Sequence, residues 1–142
     1  MGVKLRPTVL PLLAVLLSGC VNDGASLQID GKEHSLSLIR EQKWLWEDNV
    51  DLFVVASRMP DCQRRHRMRS APLDDVVVEV YSPDAVTFYL RQGGRTYSIE
   101  TATCEGFREL SDAPANLGGK IGTFRESRGG FQFQEEVKST KS

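Results

Sequence analysis

The sequence predicts a mainly β protein: a single antiparallel β-sandwich or small barrel of about seven or eight strands, with one short helix allowed. Three observations predict it. Short runs alternate apolar and polar residues, turn residues separate those runs at hairpin intervals, and no long stretch carries apolar residues at helical spacing.

Leu27 and Ile29 alternate with polar neighbours, Asp30-Gly31-Lys32 turns the chain, and Leu36 and Leu38 alternate again. Asp-Gly between two such runs marks a hairpin, because glycine accepts the positive φ that a tight turn needs. Trp44 and Trp46 are two apart and therefore share one face of a strand. Two large rings set against a sheet are the expected arrangement, with an exposed aromatic platform for sugar rings or lipid head groups as the alternative. Val50 to Ser57 is nearly continuous in branched and aromatic residues and reads as a strand buried on both faces. The one helix is allowed over 36–48 or 62–69.

The second half is more regular. Val76, Val78 and Val80 fall on one face, Ser82-Pro83-Asp84 turns, Val86, Phe88 and Leu90 fall on one face, and Gly93-Gly94 turns again. Tyr97, Ile99 and Thr101 complete a three-strand meander. A loop over 111–120 then leads to a last hairpin, which turns at Arg128-Gly129-Gly130, and residues 138–142 read as a flexible polar tail.

The chain begins with a different kind of segment. Lys4 and Arg6 precede an apolar run from Thr8 to Leu17, and Ser18 and Gly19 lead to Cys20. That order is the layout of a secretory signal peptide. A run of ten residues, at about 1.5 Å each, is too short to cross a hydrocarbon core of about 30 Å. Leu17-Ser18-Gly19-Cys20 resembles the lipobox of bacterial lipoproteins. The resemblance implies that residues 1–19 are removed, that the Cys20 sulfur takes a diacylglyceryl group, and that the new amino terminus is acylated. Several chains on one residue hold a protein on a membrane durably, where a single chain does not. Val21 rather than aspartate follows Cys20, and by the same resemblance this implies the periplasmic face of the outer membrane. Residues 20–26 then read as lipidated terminus and tether, and 27–137 as one β domain.

Removing the leader leaves 123 of 142 residues, the size of one ordinary domain. It takes away Lys4 and Arg6 and no acid, so 16 basic residues remain against 19 acidic ones, a net charge of −3. A mildly acidic chain with a periplasmic address points away from nucleic acid. Cys62 and Cys104 are the two cysteines left after Cys20, and in an oxidising compartment they are expected to pair.

The segment Met59 to Arg69, MPDCQRRHRMR, is the densest in chemistry. With Cys62 in a disulfide, Arg64, Arg65, Arg67 and Arg69 form an exposed loop suited to an anionic partner, since guanidinium forks grip carboxylate and phosphate. Candidate partners are an envelope protein, peptidoglycan or anionic lipid head groups. The plainer alternative is a solvated loop whose arginines pair with acids of the same chain. A different alternative takes Met59, Cys62, His66 and Met68 as a soft-ligand set for copper. Five arginines from Arg58 to Arg69 disfavour a cation there.

Catalysis has little to stand on. His34 and His66 are the only histidines, no nucleophile or zinc-protease motif occurs, and no motif asks for a cofactor. Gly93 to Ser98, GGRTYS, resembles the glycine-then-tyrosine segment of small lysozyme-inhibiting lipoproteins, which implies a periplasmic inhibitor of a cell-wall hydrolase as a further alternative. The leading expectation is a non-enzymatic, membrane-anchored envelope lipoprotein that works by binding.

Overall fold

The computed structural model describes residues 20–137, together with Gly2. The rest of the expected leader and the expected tail over 138–142 lie outside the described residues. Two antiparallel sheets share one core. The first holds β1 (Asn22–Asp30), β2 (His34–Glu41), β3 (Asn49–Arg58) and β4 (Cys62–Arg67) in that order, with the two-residue β5 (Ala71–Pro72) on the start of β3. The second runs, in spatial order, β11 (Gly130–Glu135), β10 (Gly119–Ser127), β6 (Val78–Ser82), β7 (Thr87–Gln92), β8 (Arg95–Glu100) and β9 (Arg108–Leu110).

The alternation explains why the sheets meet. Leu36, Leu38, Leu52, Val54 and Ala56 of the first sheet and Val78, Val80, Phe88, Leu90, Ile99 and Phe124 of the second are all buried in one cluster. Each larger side chain so buried contributes about 1.5–3 kcal/mol against chain entropy. The predicted turns fall where expected: Gly31, Gly93 and Gly130 have φ of 68°, 58° and 104° at the β1–β2, β7–β8 and β10–β11 connections. The predicted meander is β6–β7–β8, and the last hairpin joins it through β10 on β6.

Five expectations are corrected. The sheets do not close into a barrel, and the described residues form eleven short strands rather than seven or eight. No helix forms over 36–48 or 62–69, where β2 and β4 lie; the one helical piece is a 3-10 turn at Leu73–Asp75. In β3 one face is buried throughout, at Val50, Leu52, Val54 and Ala56, while on the other Asp51, Phe53 and Val55 are only partly buried and Ser57 alone is buried. Residues 22–26 are not a tether, because β1 starts at Asn22 and pairs in register with β2 from Glu41 downward. Backbone ladder bonds do not depend on side-chain polarity, so a polar segment at a sheet edge pairs as well as an apolar one. The expected loop after Cys62 is strand β4, an edge strand on β3.

The two sheets are also fastened along both sides. On one side Cys62, at the start of β4, is disulfide-bonded to Cys104 in the turn after β8. On the other, Arg40 of β2 lies buried, with 4% exposure, between β1 and the β10–β11 hairpin. Its guanidinium donates two bonds to Asp23 at 2.6 and 2.8 Å, pairs with Glu126 at 3.0 Å, and sits 4.2 Å above the Phe131 ring. Asp23 and Glu126 hold the Arg40 guanidinium above its usual range, the hydrogen bond donated to Asp23 first, against the opposing effect of burial.

Candidate functional site

Strand β4 carries the segment that the sequence singled out. As an edge strand it has one open row of backbone groups, and charged side chains are a common guard against unwanted pairing there. Its side chains divide between the faces. His66 turns inward, stacks on Phe107 at 5.0 Å and on its other side places Nε2 2.9 Å from the Cys104 carbonyl oxygen. A carbonyl only accepts, so Nε2 carries the proton. Phe107 stacks in turn on buried Tyr97, so disulfide, histidine and two rings form one seam between β4 and β8–β9. Burial pushes the Tyr97 hydroxyl up, although its oxygen accepts a bond from the Arg69 amide at 3.2 Å.

Arg65 and Arg67 turn outward. The Arg65 guanidinium lies 3.7 Å from the Phe53 ring centroid, within cation–π range, and pairs with Glu41 at 2.7 Å. Arg67 lies 5.9 Å from the same ring and pairs with Asp51 at 2.8 Å. Arg64 reaches Glu105 at 3.7 Å, and Arg69 shares Glu109 with Arg95 at 3.4 and 2.9 Å. The Arg95 bond first, and then Arg69, holds the Glu109 carboxyl below the usual range. The plainer of the two sequence readings therefore describes the charges: each of the four arginines has a carboxylate of its own chain beside it. Their side chains nevertheless remain 45–63% exposed, and exposed pairs of this kind are worth about 0–1 kcal/mol each. The outer face of the first sheet is thus a half-exposed apolar strip, Ile39, Phe53 and Val55, roofed in part by arginine.

The copper set does not assemble. Cys62 is in the disulfide, Met68 is buried in the core, His66 is committed to Cys104 and Phe107, and Met59 is exposed in the turn before β4. Of GGRTYS, Thr96 and Tyr97 are buried and Ser98 is partly exposed, while Gly93, Gly94 and Arg95 are fully at the surface. Those three border an open groove of about 780 Å³ that also takes in Arg69, Arg91 and Asp75. Beneath it Gln92 donates to the Arg69 carbonyl at 3.0 Å.

Trp44 and Trp46 are placed against expectation. They belong to a loop between β2 and β3 rather than to a strand, they are 52% and 77% exposed, and their rings stack on each other at 5.4 Å. Cys20, the last residue of the lipobox-like segment, is exposed beside the same loop, its sulfur 3.8 Å from the Lys43 carbonyl oxygen.

No protein-family model matches the chain, and no curated protein or solved structure is significantly similar to it.

Two polar groups at inward positions escaped the sequence reading. His34, Leu36, Leu38 and Arg40 are two apart, so His34 and Arg40 continue the buried face of β2. His34 Nε2 lies 3.0 Å from Thr101 Oγ1 and 3.3 Å from Arg58 Nη2, and Arg58 Nε donates to the Thr101 carbonyl at 3.0 Å. Burial first, then the Arg58 cation, pushes the imidazole below its ordinary value, with Asp30 opposing. Arginine cannot accept, so Nε2 is the acceptor, which fits a neutral ring. The group ties β2 and β3 to the second sheet, with His34 and Thr101 buried and Arg58 partly exposed at its rim.

Proposed function

We propose that the protein is a non-enzymatic envelope lipoprotein, held by acyl chains on Cys20 at the periplasmic face of the outer membrane, that binds an envelope protein through the outer face of its first sheet. The lipobox-like Leu17-Ser18-Gly19-Cys20 supports the anchor, and exposure of the Cys20 thiol supports it further. The observation that carries the binding reading is Arg65 laid on Phe53, beside Ile39 and Val55, on a sheet face that stays partly exposed. Aromatic and arginine side chains around a small apolar centre are the composition of protein interfaces. Because every arginine there already has a carboxylate, the face suits a partner of mixed charge better than a free anion. A partner carboxylate has only to displace an exposed, weakly held one.

A photo-crosslinking amino acid at Val55, in the full chain expressed in cells, tests the reading. A discrete crosslinked protein is expected, absent when the probe stands at Ser98 on the other sheet, and lost on combining Arg65→Ala with Arg67→Ala. Crosslinks to lipid or to peptidoglycan instead would transfer the face to those partners. A product indifferent to both arginine substitutions would remove the arginines from the function.

A further inference from the structure

We propose that Trp44-Leu45-Trp46 is a membrane-seating loop that enters the interface of the bilayer holding the Cys20 acyl chains, and so fixes which end of the domain faces the membrane. The inference rests on the lipid anchor of the preceding section and adds a second, non-covalent contact to it. Its starting point is the company that Cys20 keeps. Residues 20 and 21 are held against the loop: the Val21 amide donates to Gln42 Oε1 at 3.1 Å, the Gln42 amide donates to the Val21 carbonyl at 2.8 Å, and the Cys20 sulfur touches the Lys43 carbonyl. Since β1 begins at Asn22, no slack chain separates the point of lipid attachment from the fold. An acyl anchor on Cys20 therefore brings the next residues of the loop to the bilayer surface.

Those residues are the ones a bilayer interface accepts. Trp44, Leu45 and Trp46 are 52%, 50% and 77% exposed, three consecutive large apolar side chains left uncovered by a domain that buries most others. Indole rings favour the head-group level, where an apolar body and a polar N–H both find partners. The loop is also preorganised rather than loose. The Glu47 amide donates to the Trp44 carbonyl at 3.0 Å, and Gln42 Nε2 donates to the Glu47 carbonyl at 2.6 Å. Charge argues for the apolar and zwitterionic part of the interface over anionic head groups, for Lys43 stands against Glu41, Glu47 and Asp48. Binding by this loop is accordingly not strengthened by anionic lipid and not weakened by salt.

The chain supplies its own probe, since its two tryptophans are the two in the loop. The full chain is purified from membranes with its acylation read by intact mass, and is placed on phosphatidylcholine vesicles that carry bromine in the upper acyl chain. The expected result is a blue-shifted emission quenched roughly twofold or more by the brominated lipid. Leu45→Asp, in an exposed position that leaves both reporters in place, is expected to return the emission most of the way to that in buffer. Unquenched, solvent-like tryptophans on acylated, vesicle-bound protein would overturn the proposal, as would quenching that Leu45→Asp leaves unchanged. An intact mass without acyl groups would refute the lipoprotein reading alone. The Cys20 thiol of that protein, coupled to a phospholipid maleimide, then decides the loop by the same two readouts.

Discussion

Replacing Cys62 and Cys104 together by alanine removes the covalent fastening of one side of the two sheets and leaves the other contacts of that seam in place. His66 still reaches the 104 carbonyl and Phe107, and Arg64 still faces Glu105. The native structure is therefore expected to persist, and the change to fall mainly on the unfolded chain. The bond closes a loop with a sequence separation of 42. Freeing a loop of that length costs about 4 kcal/mol in the chain-entropy treatment. Against a domain stability of about 5–15 kcal/mol that is a large share, and it corresponds to roughly 15 °C in the melting midpoint. Urea unfolding of wild type and double variant, followed by far-ultraviolet circular dichroism, measures it. Tryptophan fluorescence is a poor probe here because both rings are already exposed. The reasoning also requires a steeper denaturant dependence in the variant, whose unfolded chain is freer to expand. A loss below about 1 kcal/mol with an unchanged slope would refute it, showing that the unlinked chain already holds positions 62 and 104 together.

The opposite side of the fold gives a second expectation: Arg40→Met keeps the length of the side chain but loses its charge-assisted bonds, and should cost about 2–3 kcal/mol in the same urea experiment. An unchanged midpoint would mean that water satisfies Asp23 and Glu126 equally well. Gly122 sits where a Cβ would overlap the Gln134 carbonyl and the Phe133 ring, so Gly122→Ala should part β10 from β11 at a cost of about 1–3 kcal/mol; a neutral result would show that the hairpin yields freely. Stability should also fall in mild acid. Because folding depresses the His34 pKa, the unfolded chain binds more protons; the contribution is complete above the unfolded value near 6.5 and is lost as pH falls toward the folded one. Melting midpoints at several pH values should show this slope in wild type and a shallower one in His34→Gln, and equal slopes would assign the effect to another group.

Much of the second sheet was legible because its signals are local. Val76, Val78 and Val80 are buried as their spacing predicts, and paired glycines mark the β7–β8 and β10–β11 turns. The disulfide was legible from the cysteine count taken with the expected leader. Strand β4 was not, because CQRRHR sits at a sheet edge, where one face is solvated and the other meets only a disulfide and a stacked ring, so no apolar period remains. Val50 to Ser57 misled in the opposite direction. Its outward Phe53 and Val55 look like core, yet what covers Phe53 is the stem and head of Arg65, a side chain that composition counts only as charge. Trp44 and Trp46 carry strand spacing, but exposure depends on where the sheet ends, and a loop at that end keeps no record of it in sequence. The arginines themselves were found; that each would meet a carboxylate from a strand or turn distant in sequence depended on the register between strands.

The absence of slack between Cys20 and β1 has a mechanical consequence. With the proposed acyl anchor on Cys20, a pull from the membrane or from a partner held on the sheet would enter the fold at the first residues of β1 and run along that strand. Beside it lies β2 in antiparallel register from Asn22–Glu41 onward, so the ladder between them is loaded in shear, many bonds sharing the force at once. Arg40 adds a cross-stitch near the point of entry, binding Asp23 of the pulled strand to Glu126 of the other sheet. A domain hung from a free linker feels only the forces that outlast the linker's extension; this one would transmit tension from bilayer to partner from the first ångström of displacement.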